Sequence, residues 1–453
     1  MSELRDLLGL TRDLAADFLE TLDERPVLAQ VDVAALRETL AGPLPDGPTD
    51  PRVVISQLAA HADPGIAGMP AGRWFGFVIG GSVPAALAAD WLTSAWDQNA
   101  GLFAPAPAAA VVEEVAGAWL RELLAIPPTA SFAFVTGCQM AHVTALATAR
   151  HHVLNAAGWD VARDGLYGAP RIRVVAGADR HVTLDRALRL LGMGTPDLVA
   201  ADDQGRMRVE ELDVDDRPTI VCTQVGEVNT GACDDVAAIR SRAPEAWLHV
   251  DGAFGLWAAA SPRLRHLVAG CEHADSWATD AHKWLNVPYD SGIAFCAHPA
   301  SHRAAMGVQA DYLLHDDGGN RDQMDWNPEF SRRARGFPVY AAIRALGRQG
   351  IAELVERTCA HARTFADGLR EVGAEVLNDV VLNQVLFRFE TDERTDAVLR
   401  AVQESGEAWM SGTTWNGRPA IRISVSNWQT SGEDVERTLA AYRAAVSGQV
   451  AAR

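Results

Sequence analysis

The first part of the chain shows helical spacing of leucines that ends in a proline-rich break. Apolar residues recur every three or four positions from 2 to 22, and a second, shorter run covers 31–40. Residues 42–51 contain four prolines, which lack an amide donor and fix φ, so neither a helix nor a central strand is predicted there. The pattern predicts an N-terminal helical arm and linker over residues 1–65.

Short apolar runs alternate with helical patterns through the middle of the chain. Six of these runs look like buried strands: 131–136, 172–176, 219–223, 246–250, 276–279 and 292–296. Strands that alternate with helices favour a largely parallel sheet. We therefore predict a large α/β domain over residues 66–336.

The last part of the chain has a different pattern. A long helical stretch at 339–372 is followed by strand candidates at 385–389 and 420–426. Ser431 and Asp434 resemble a capping box at the start of a final helix. This order predicts a small C-terminal α+β domain over residues 337–453.

Composition narrows the class of protein. With 453 residues, 48% hydrophobic and 22% charged, the chain has the composition of a packed globular protein of two or three units rather than a collagen-like, coiled-coil or disordered one. The net charge of −19 disfavours nonspecific contact with nucleic acid or anionic membranes. We expect neither kind of partner.

The compartment is predicted from what the chain does not contain. No run of about 18 apolar residues occurs, and the N-terminus lacks a basic segment followed by an apolar one. Six cysteines are scattered without C-x-x-C spacing, which favours reduced, buried thiols over disulfides or zinc. We predict a cytoplasmic protein.

The most informative residue is Lys283, in Thr-Asp-Ala-His-Lys-Trp at 279–284. It follows a predicted strand and lies between an imidazole and an indole. Partial desolvation would lower its pKa and leave a neutral amine that can attack an aldehyde. A lone buried lysine is more often structural, so its neighbours decide between the two interpretations.

Asp251 comes directly after the apolar run 246–250, where α/β folds bind ligands. A buried carboxylate needs a cationic partner, and a pyridinium nitrogen is a suitable one. The carboxylate keeps such a ring protonated, and the protonated ring withdraws electrons from a carbanion. The alternative is a strand-end aspartate that caps a turn.

Two further motifs suit the same ligand. Thr136-Gly137-Cys138 forms a small-residue turn between a predicted strand and a helical pattern, and the N–H groups there, with the Thr136 hydroxyl, suit a phosphate. His181 follows the run 172–176 and opens a helix, where its imidazole could stack on a cofactor ring or transfer protons. A histidine satisfied within its own loop is the commoner case.

In this chain order, the phosphate turn, the histidine, the aspartate and the lysine resemble the pyridoxal-phosphate-dependent group II amino-acid decarboxylases. The resemblance covers residues 72–442 and is most specific at 280–289, Asp-Ala-His-Lys-Trp-Leu-Asn-Val-Pro-Tyr. It implies a fold type I transferase architecture, pyridoxal 5'-phosphate as cofactor and an L-amino acid as substrate. It also implies a homodimer with active sites at the subunit interface.

The resemblance also implies the role of each residue. Lys283 would form the Schiff base, Asp251 would hold the pyridine nitrogen, and Ala253 and His181 would lie on opposite faces of the ring. The phosphate would be surrounded by Thr136, Gly137, Cys138, Asp280 and His282. The implied reaction passes through internal and external aldimines, releases CO2 to leave a quinonoid, and reprotonates Cα to give the amine.

Two segments depart from the family pattern. After the phosphate turn, the usual Ser/Thr and Glu-Ala-Asn become Gln139 and Met-Ala-His at 140–142. The family's Gly-Thr-Thr segment reads Gly-Glu-Val-Asn at 226–229, which would place Glu227 close to the cofactor's phenolic oxygen. As a hypothesis, Glu227 instead contacts an amine on the substrate.

A third departure concerns the mobile loop at 313–326. In the family this loop carries a tyrosine credited with protonating the carbanion, and the match places Gln323 at that position. Tyr312 precedes the loop, and His315 or water are the alternative acids. Without an acid at Cα, the carbanion would react with dioxygen to give an aldehyde or be protonated at the cofactor instead.

Contacts to the substrate follow from two regions. Residues 72–77 match a family segment near the substrate side chain, so Trp74 and Phe75 are expected either in the pocket or in the core. Together with Phe103 they favour an aromatic or other apolar substrate. Arg422 lies on a predicted strand where related aminotransferases bind the substrate carboxylate.

The leading interpretation is an amino-acid decarboxylase. The alternatives are a decarboxylating oxidase, a lyase or aminotransferase on the same scaffold, and a non-catalytic scaffold. No metal site is predicted, because His151 and His152 are adjacent on a helix and point about 100° apart. A cluster of arginines is expected on a solvated or interface-pairing face: Arg332, Arg333 and Arg335.

Overall fold

The N-terminal arm contains one more helix than its sequence pattern predicts. The computed structural model describes residues 2–29, 31–308 and 319–448. The arm comprises α1 (Ser2–Glu20), α2 (Val33–Leu40) and α3 (Pro51–Ala62). Helix α3 begins at the end of the proline-rich stretch, because the Asp50 side chain accepts the N–H of Arg52 and Pro51 takes the first helical position.

A seven-stranded sheet forms the large body of the molecule. Its strands are β1 (Ser131–Val135), β2 (Arg173–Gly177), β3 (Asp197–Val199), β4 (Thr219–Gln224), β5 (Trp247–Asp251), β6 (Ser276–Asp280) and β7 (Gly292–Cys296). They lie in the order β1-β7-β6-β5-β4-β2-β3. Strands β2 to β6 pair in parallel, and β7 runs antiparallel to β1 and β6. The predicted α/β class is confirmed, and β3 is an addition that the sequence pattern does not predict.

Helices cover this sheet. They are α4 (Pro84–Trp96), α5 (Pro107–Leu123), α6 (Cys138–Ala156), α7 (Val161–Asp164), α8 (Val182–Leu190), α9 (Val236–Arg242) and α10 (Pro299–Met306). Helix α6 is buried along most of its length, because its many small alanine side chains let it pack closely between the sheet and α8. No helix within the described ranges is both long and apolar enough to cross a membrane.

The carboxyl ends of the parallel strands lie at one edge of the sheet, and this edge positions the site. Because β7 returns antiparallel, its connection from β6 needs no crossover helix and consists only of residues 281–291. Lys283 lies in this connection. The chain is tightly packed where this connection ends, since a Cβ on Gly292 would lie 2.4 Å from the Cα of Gly137.

The C-terminal part forms a second, smaller sheet. Helix α11 (Gly336–Glu371), broken at Gly347 with φ +62°, leads to β8 (Glu375–Val376), β9 (Gln384–Arg388), β10 (Ser411–Trp415) and β11 (Arg418–Ser424). These strands are all antiparallel in the order β10-β11-β9-β8 and pack with α12 (Asp392–Glu404) and α13 (Gly432–Val446). The predicted capping box of Ser431 and Asp434 is confirmed at the start of α13.

A segment before α4 packs with this smaller sheet rather than with the larger one. Phe75 donates its N–H to the Trp409 carbonyl, and its own carbonyl accepts the N–H of Ser424. Phe75 is fully buried in the hydrophobic cluster of the small sheet. The domain boundaries at 65/66 and 336/337 stay predictions, and this early segment crosses between the two proposed units.

Two of the three clustered arginines, Arg332 and Arg335, are buried, so a solvated face is wrong for them, while Arg333 is partly exposed and an interface-pairing face stays a prediction. Arg332 is 5% exposed and forms an ion pair with the buried Glu113 at 2.6 Å. Arg335 is also buried and pairs with Asp290 and Glu329. These arginines hold together helices and loops inside one chain, because a buried guanidinium needs several acceptors.

Candidate active site

Lys283 is paired with an acid in the protein. Its Nζ is 3.3 Å from Asp280 Oδ2, and its side chain is 19% exposed. Burial by itself would lower the pKa of Lys283, but Asp280, Cys138 and Asp251 outweigh burial and raise it. The expected lowering of this pKa is therefore wrong for the protein alone, because the ammonium is stabilised by the carboxylates around it.

Lys283 is also the only lysine among the 40 lysine and arginine residues of the chain. Guanidinium groups stay protonated and do not form Schiff bases, whereas a lysine amine does. The protein therefore carries its one aldehyde-reactive side-chain amine at this sheet edge. The residue count is a signal in the sequence that an examination of local motifs does not use.

Asp280, the last residue of β6, connects the lysine to the start of α6. Its Oδ1 accepts the N–H of Cys138 at 2.6 Å, and His282 Nε2 lies 3.5 Å from the same oxygen. Cys138 is the first residue of α6. The N-terminus of this helix thus already binds an anionic oxygen, as expected for a phosphate site.

The turn before α6 has no room for larger side chains. A Cβ on Gly137 would lie 3.2 Å from His282 Cε1 and 3.5 Å from Asp280 Oδ1. Thr136 is half-buried between the end of β1 and this glycine. Thr136, Gly137, Cys138, Asp280 and His282, the five residues predicted to surround a phosphate, therefore meet in one place.

Asp251 ends β5 beside the lysine connection. Its Oδ1 accepts the N–H of Ala253 at 3.1 Å, and Ala253 in turn accepts the N–H of Asp280. Burial by itself would raise the pKa of Asp251, but His142, His181 and Lys283 hold it well below its usual range. The carboxylate is thus ionised and ready to accept a hydrogen bond from a protonated ring nitrogen.

His142 contacts this carboxylate, a placement that sequence reasoning missed. Its Nε2 lies 3.3 Å from Asp251 Oδ2. The sequence analysis treats His142 only as part of a departure from the family pattern. The sequence places His249, two positions before Asp251 on β5, on the same face of the strand, but no local signal places His142 there.

His181 caps helix α8 and is held in one tautomer. Its Nδ1 lies 2.8 Å from Thr183 Oγ1 and accepts the N–H of Thr183 at 3.4 Å. Burial lowers its pKa, so the ring is neutral, and Nε2 carries the proton. Asp251 and Lys283 both influence this pKa, which shows that His181 belongs to the same cluster.

Glu227 and Arg422 lie at the rim of the cluster. The carboxylate of Glu227 accepts hydrogen bonds from Asn229 and Thr230 within its own turn, so its predicted contact with a substrate amine gains no support. Arg422 donates from Nη1 to the carbonyl of Val228, and its buried Nε has no hydrogen-bond partner within the described residues. Its charge also lowers the pKa of His181.

The two aromatic residues expected near the substrate are core residues. Phe75 is fully buried and packs edge-to-face on Phe365 with ring centroids 5.0 Å apart. Trp74 stacks on Trp409 at 4.4 Å. Of the two alternatives for these rings, pocket or core, burial supports the core: Phe75 packs into the core of the small sheet, and Trp74 packs in a separate cluster with Val27 and Ile79.

Phe77 is the exposed aromatic residue of the segment 72–77. It is 57% exposed and has a positive φ of 56°, as does the next residue, Val78, at 58°. A Cβ on Gly80 would lie 1.8 Å from the carbonyl oxygen of Lys283, so this segment runs directly against the lysine. Two consecutive left-handed residues are a strained arrangement of the kind found at binding sites.

Gln323 does not join the lysine cluster within this chain. It is 1% exposed at the start of a short 3₁₀ helix, Gln323–Trp326, where it accepts a hydrogen bond from Arg321 and donates to the carbonyl of Ala110. Phe103 lies nearby, half-buried, with its N–H bound by Asp322. Tyr312 and His315 lie outside the described residues.

Comparison with known proteins identifies the family. The pyridoxal-dependent decarboxylase conserved domain matches residues 36–390. The chain belongs to this family. The decarboxylase is 25% identical to an aromatic-L-amino-acid decarboxylase of Bacillus atrophaeus, over 96% of this chain and 93% of that protein. It is 23% identical to a phenylacetaldehyde synthase of a Rosa hybrid cultivar, over 93% of this chain and 90% of that protein.

A solved structure shows the same fold. The crystal structure of Oryza sativa TDC with PLP and tryptamine superimposes with a TM-score of 0.92, covering 100% of the decarboxylase and 99% of that chain at 23% identity. The predicted fold type I architecture is thereby confirmed. The match spans both sheets and the N-terminal arm.

The decarboxylase uses pyridoxal phosphate, and its residues fit this cofactor. The aldehyde of the cofactor needs one amine with which to form a Schiff base, and Lys283 provides it. A pyridinium nitrogen needs an ionised carboxylate, which Asp251 provides with one oxygen bound by His142. A phosphate needs a helix N-terminus without bulky side chains, which the turn at 136–138 provides.

Proposed function

We propose that the decarboxylase converts an L-amino acid with an aromatic side chain into the corresponding amine and CO2. The observation that carries the proposal is the arrangement of its single amine, Lys283, beside an ionised Asp251 and a neutral His181. Ionised and neutral groups in these positions match the needs of an electron-withdrawing pyridinium ring.

When bound, pyridoxal phosphate supplies an aldehyde carbon for amine attachment and a protonated ring that withdraws electrons from Cα. Asp251 would keep the ring nitrogen of the bound cofactor protonated, and Ala253 would lie against the ring. Thr136, Gly137, Cys138, Asp280 and His282 would surround the phosphate.

His181 is proposed to hold a proton on Nε2 that can be donated to the substrate. Thr183 occupies Nδ1, so the proton of the neutral ring stays on Nε2. A neutral imidazole can stack on a cationic ring without charge repulsion and can donate from Nε2 to the substrate. Arg422, with its buried Nε unpaired, is proposed to orient the substrate carboxylate.

The substrate class is proposed from the exposed ring of Phe77, three residues before Gly80, which packs against the backbone of Lys283. Phe77 presents its ring to solvent with Trp409 packed behind it at 5.1 Å. An apolar wall of this kind favours an aromatic or large apolar side chain over an acidic one. The names of the relatives, an aromatic-L-amino-acid decarboxylase and a phenylacetaldehyde synthase, support the same class.

The test is CO2 release from cofactor-loaded protein with a panel of L-amino acids, in air and under argon. The expected result is equal release in both gases, one amine formed per CO2, and highest kcat/KM for aromatic substrates. A Lys283→Ala variant serves as the control without an amine. Release of keto acid without CO2 would instead favour an aminotransferase.

A second candidate is a decarboxylating oxidase that forms an aldehyde. The similarity to phenylacetaldehyde synthase and the absence of the expected loop tyrosine at Gln323 favour it. In that case one dioxygen is consumed for each CO2, and hydrogen peroxide and ammonia appear with the aldehyde. Measuring oxygen uptake and amine yield on the same sample separates the two reactions.

We also propose that the protein is a homodimer joined partly through its arm. Leu4 and Leu8 on α1, and Val54 and Leu58 on α3, follow helical spacing and are exposed in the single chain. Apolar stripes of this kind mark interaction surfaces. Light scattering should give the mass of two chains, and Leu8→Glu with Leu58→Glu should give one. A wild-type mass of one chain would refute the dimer.

A cytoplasmic location remains part of the proposal. The six cysteines are free, and five of them are buried, as expected for a reducing compartment. Cell fractionation with the tagged full chain tests it.

A further inference from the structure

A row of buried side chains leads from Asp251 into the large sheet. His142 Nε2 lies 3.3 Å from Asp251 Oδ2, and His142 Nδ1 lies 2.9 Å from His249 Nε2. His249 Nδ1 lies 2.9 Å from Ser276 Oγ, which also accepts the indole N–H of Trp247 at 2.9 Å. The four residues behind Asp251 are at most 3% exposed, so bulk water does not compete for these contacts.

Both ends of the row require the same direction of donation. The Trp247 indole can only donate, and the ionised Asp251 can only accept. Ser276 therefore donates its hydroxyl proton to His249 Nδ1, and His249 donates from Nε2 to His142 Nδ1. His142 is then left with its proton on Nε2, beside Asp251. Every polar atom in the row has a partner in this arrangement, and both imidazoles are neutral.

We propose that His142 and His249 are positioning residues that hold Asp251 as an ionised acceptor for the pyridine nitrogen of the cofactor. His142 donates to Oδ2, and Oδ1, which accepts the N–H of Ala253, keeps a second lone pair for the ring nitrogen. His249 acts through His142 by fixing its tautomer. The proposal rests on the use of pyridoxal phosphate at this site and assigns a role to two residues that the proposed function does not use.

A metal ion is the main competing interpretation of the same residues. Cys138 Sγ, His142 Nε2 and an oxygen of Asp251 lie within 4.8 Å of one another, a spacing that a zinc ion could bridge. A metal on Nε2 would move the His142 proton to Nδ1 and reverse donation along the row. The hydroxyl proton of Ser276 would then have no acceptor among the described residues, and a buried unsatisfied donor costs free energy. The hydrogen-bonded row without a metal, here called the relay, avoids this cost.

The first test is the affinity of the apoprotein for pyridoxal phosphate, followed by its visible absorption. In His142→Leu, Asp251 loses its imidazole donor and keeps the N–H of Ala253, so burial raises the pKa of Asp251 against less opposition and the bond to the ring nitrogen weakens. We expect the Kd to rise about 10- to 100-fold, the loss expected for one hydrogen bond to a charged group. His142→Gln retains a donor at the Nε2 position and should stay within about threefold of wild type.

A double-mutant cycle tests whether His249 acts through His142. His249→Leu should weaken cofactor binding less than His142→Leu, and the double variant should bind no more weakly than His142→Leu alone. The kcat should fall in His142→Leu while KM for the amino acid stays unchanged, because the row contacts the cofactor side and not the substrate.

The matched control is His302→Leu. His302 is equally buried at 1% exposure and is hydrogen-bonded to Ser131, but it has no contact with Asp251. It should lose stability without a change in Kd. If His142→Leu fails to fold, His249→Leu and Ser276→Ala disturb the row farther from Asp251 and should still raise the Kd, whereas His142→Gln should not.

The outcomes separate the relay from the assignment of the cofactor. A wild-type protein without a visible band sensitive to Lys283→Ala would refute the use of the cofactor itself. A wild-type band together with unchanged Kd and spectrum in His142→Leu would refute the relay alone. Stoichiometric zinc in the purified wild-type apoprotein that is absent from His142→Leu would also refute the relay and support the metal site.

Discussion

Phe75 and Phe77 lie two positions apart and should respond to truncation in opposite ways. Phe75 is 0% exposed and packs edge-to-face against Phe365 at 5.0 Å. Phe75→Ala leaves a cavity in the small sheet's core, and such substitutions cost about 3–5 kcal/mol. About 0.5–1.5 kcal/mol of this is the loss of the aromatic pair. The KM of the remaining folded enzyme should be unchanged.

Phe77 has less than half of its surface covered, because it is 57% exposed. A fully buried Phe contributes about 1.5–3 kcal/mol, so Phe77→Ala should cost only about 1 kcal/mol of stability. Its expected effect is on substrate binding: a higher KM for aromatic amino acids and little change for small ones.

Urea unfolding followed by tryptophan fluorescence measures the first effect, and steady-state kinetics on both variants measures the second. Phe365→Ala and the Phe75/Phe365 double variant isolate the aromatic pair. The assignment of Phe75 to the core would be wrong if Phe75→Ala unfolded at the same urea concentration as the wild type and raised KM instead. The assignment of Phe77 to the pocket would be wrong if its truncation left every KM unchanged.

Three further predictions follow from single residues. Borohydride reduction of the cofactor-loaded protein should attach the cofactor to one side chain, Lys283. Peptide mass mapping of the wild type and of Lys283→Ala checks this. A second modified side chain would contradict it. The free energy of unfolding should fall as pH drops from about 6.5 toward 3. Burial lowers the pKa of His249 and of His302 to about 3, so only the unfolded chain binds these protons in that window. The free energy of unfolding should fall by at most about 1.4 kcal/mol per pH unit for each histidine. Denaturant titrations at several pH values test this, and an unchanged slope in His302→Gln would count against it. Arg332→Met should cost about 3–5 kcal/mol because it leaves the buried Glu113 unpaired, and restoration of stability in the double variant Arg332→Met/Glu113→Leu would confirm the cause.

The active-site elements were predictable because their signals are local. An apolar run ending in Asp251, a small-residue turn before α6 and a lysine after a strand each occupy a few consecutive residues. Parallel strands place their carboxyl ends at one edge, so Asp251, the phosphate turn and Lys283 meet once the sheet forms. The class of sheet and the capping box of α13 followed from the same kind of pattern.

The charge state of Lys283 was not predictable in this way. Its burial is visible in the sequence motif, but the sign of its pKa shift depends on the carboxylates of Asp280 and Asp251, which come close only in the folded chain. The contact of His142 with Asp251 has the same origin, since 109 positions separate them in the sequence. Electrostatic interactions depend on distance in space rather than on chain order.

The sequence by itself determined the family, the α/β class and the position of the one reactive amine, because periodicity and turn residues are properties of neighbouring residues and the single lysine is found by counting along the chain. Only the tertiary structure decided that Phe75 is a core residue and Phe77 is not, that Arg332 is buried with Glu113, and that Gln323 lies beside α5. Each of these depends on which distant segment covers the side chain. Burial is settled by packing between elements, and packing is a property of the whole fold.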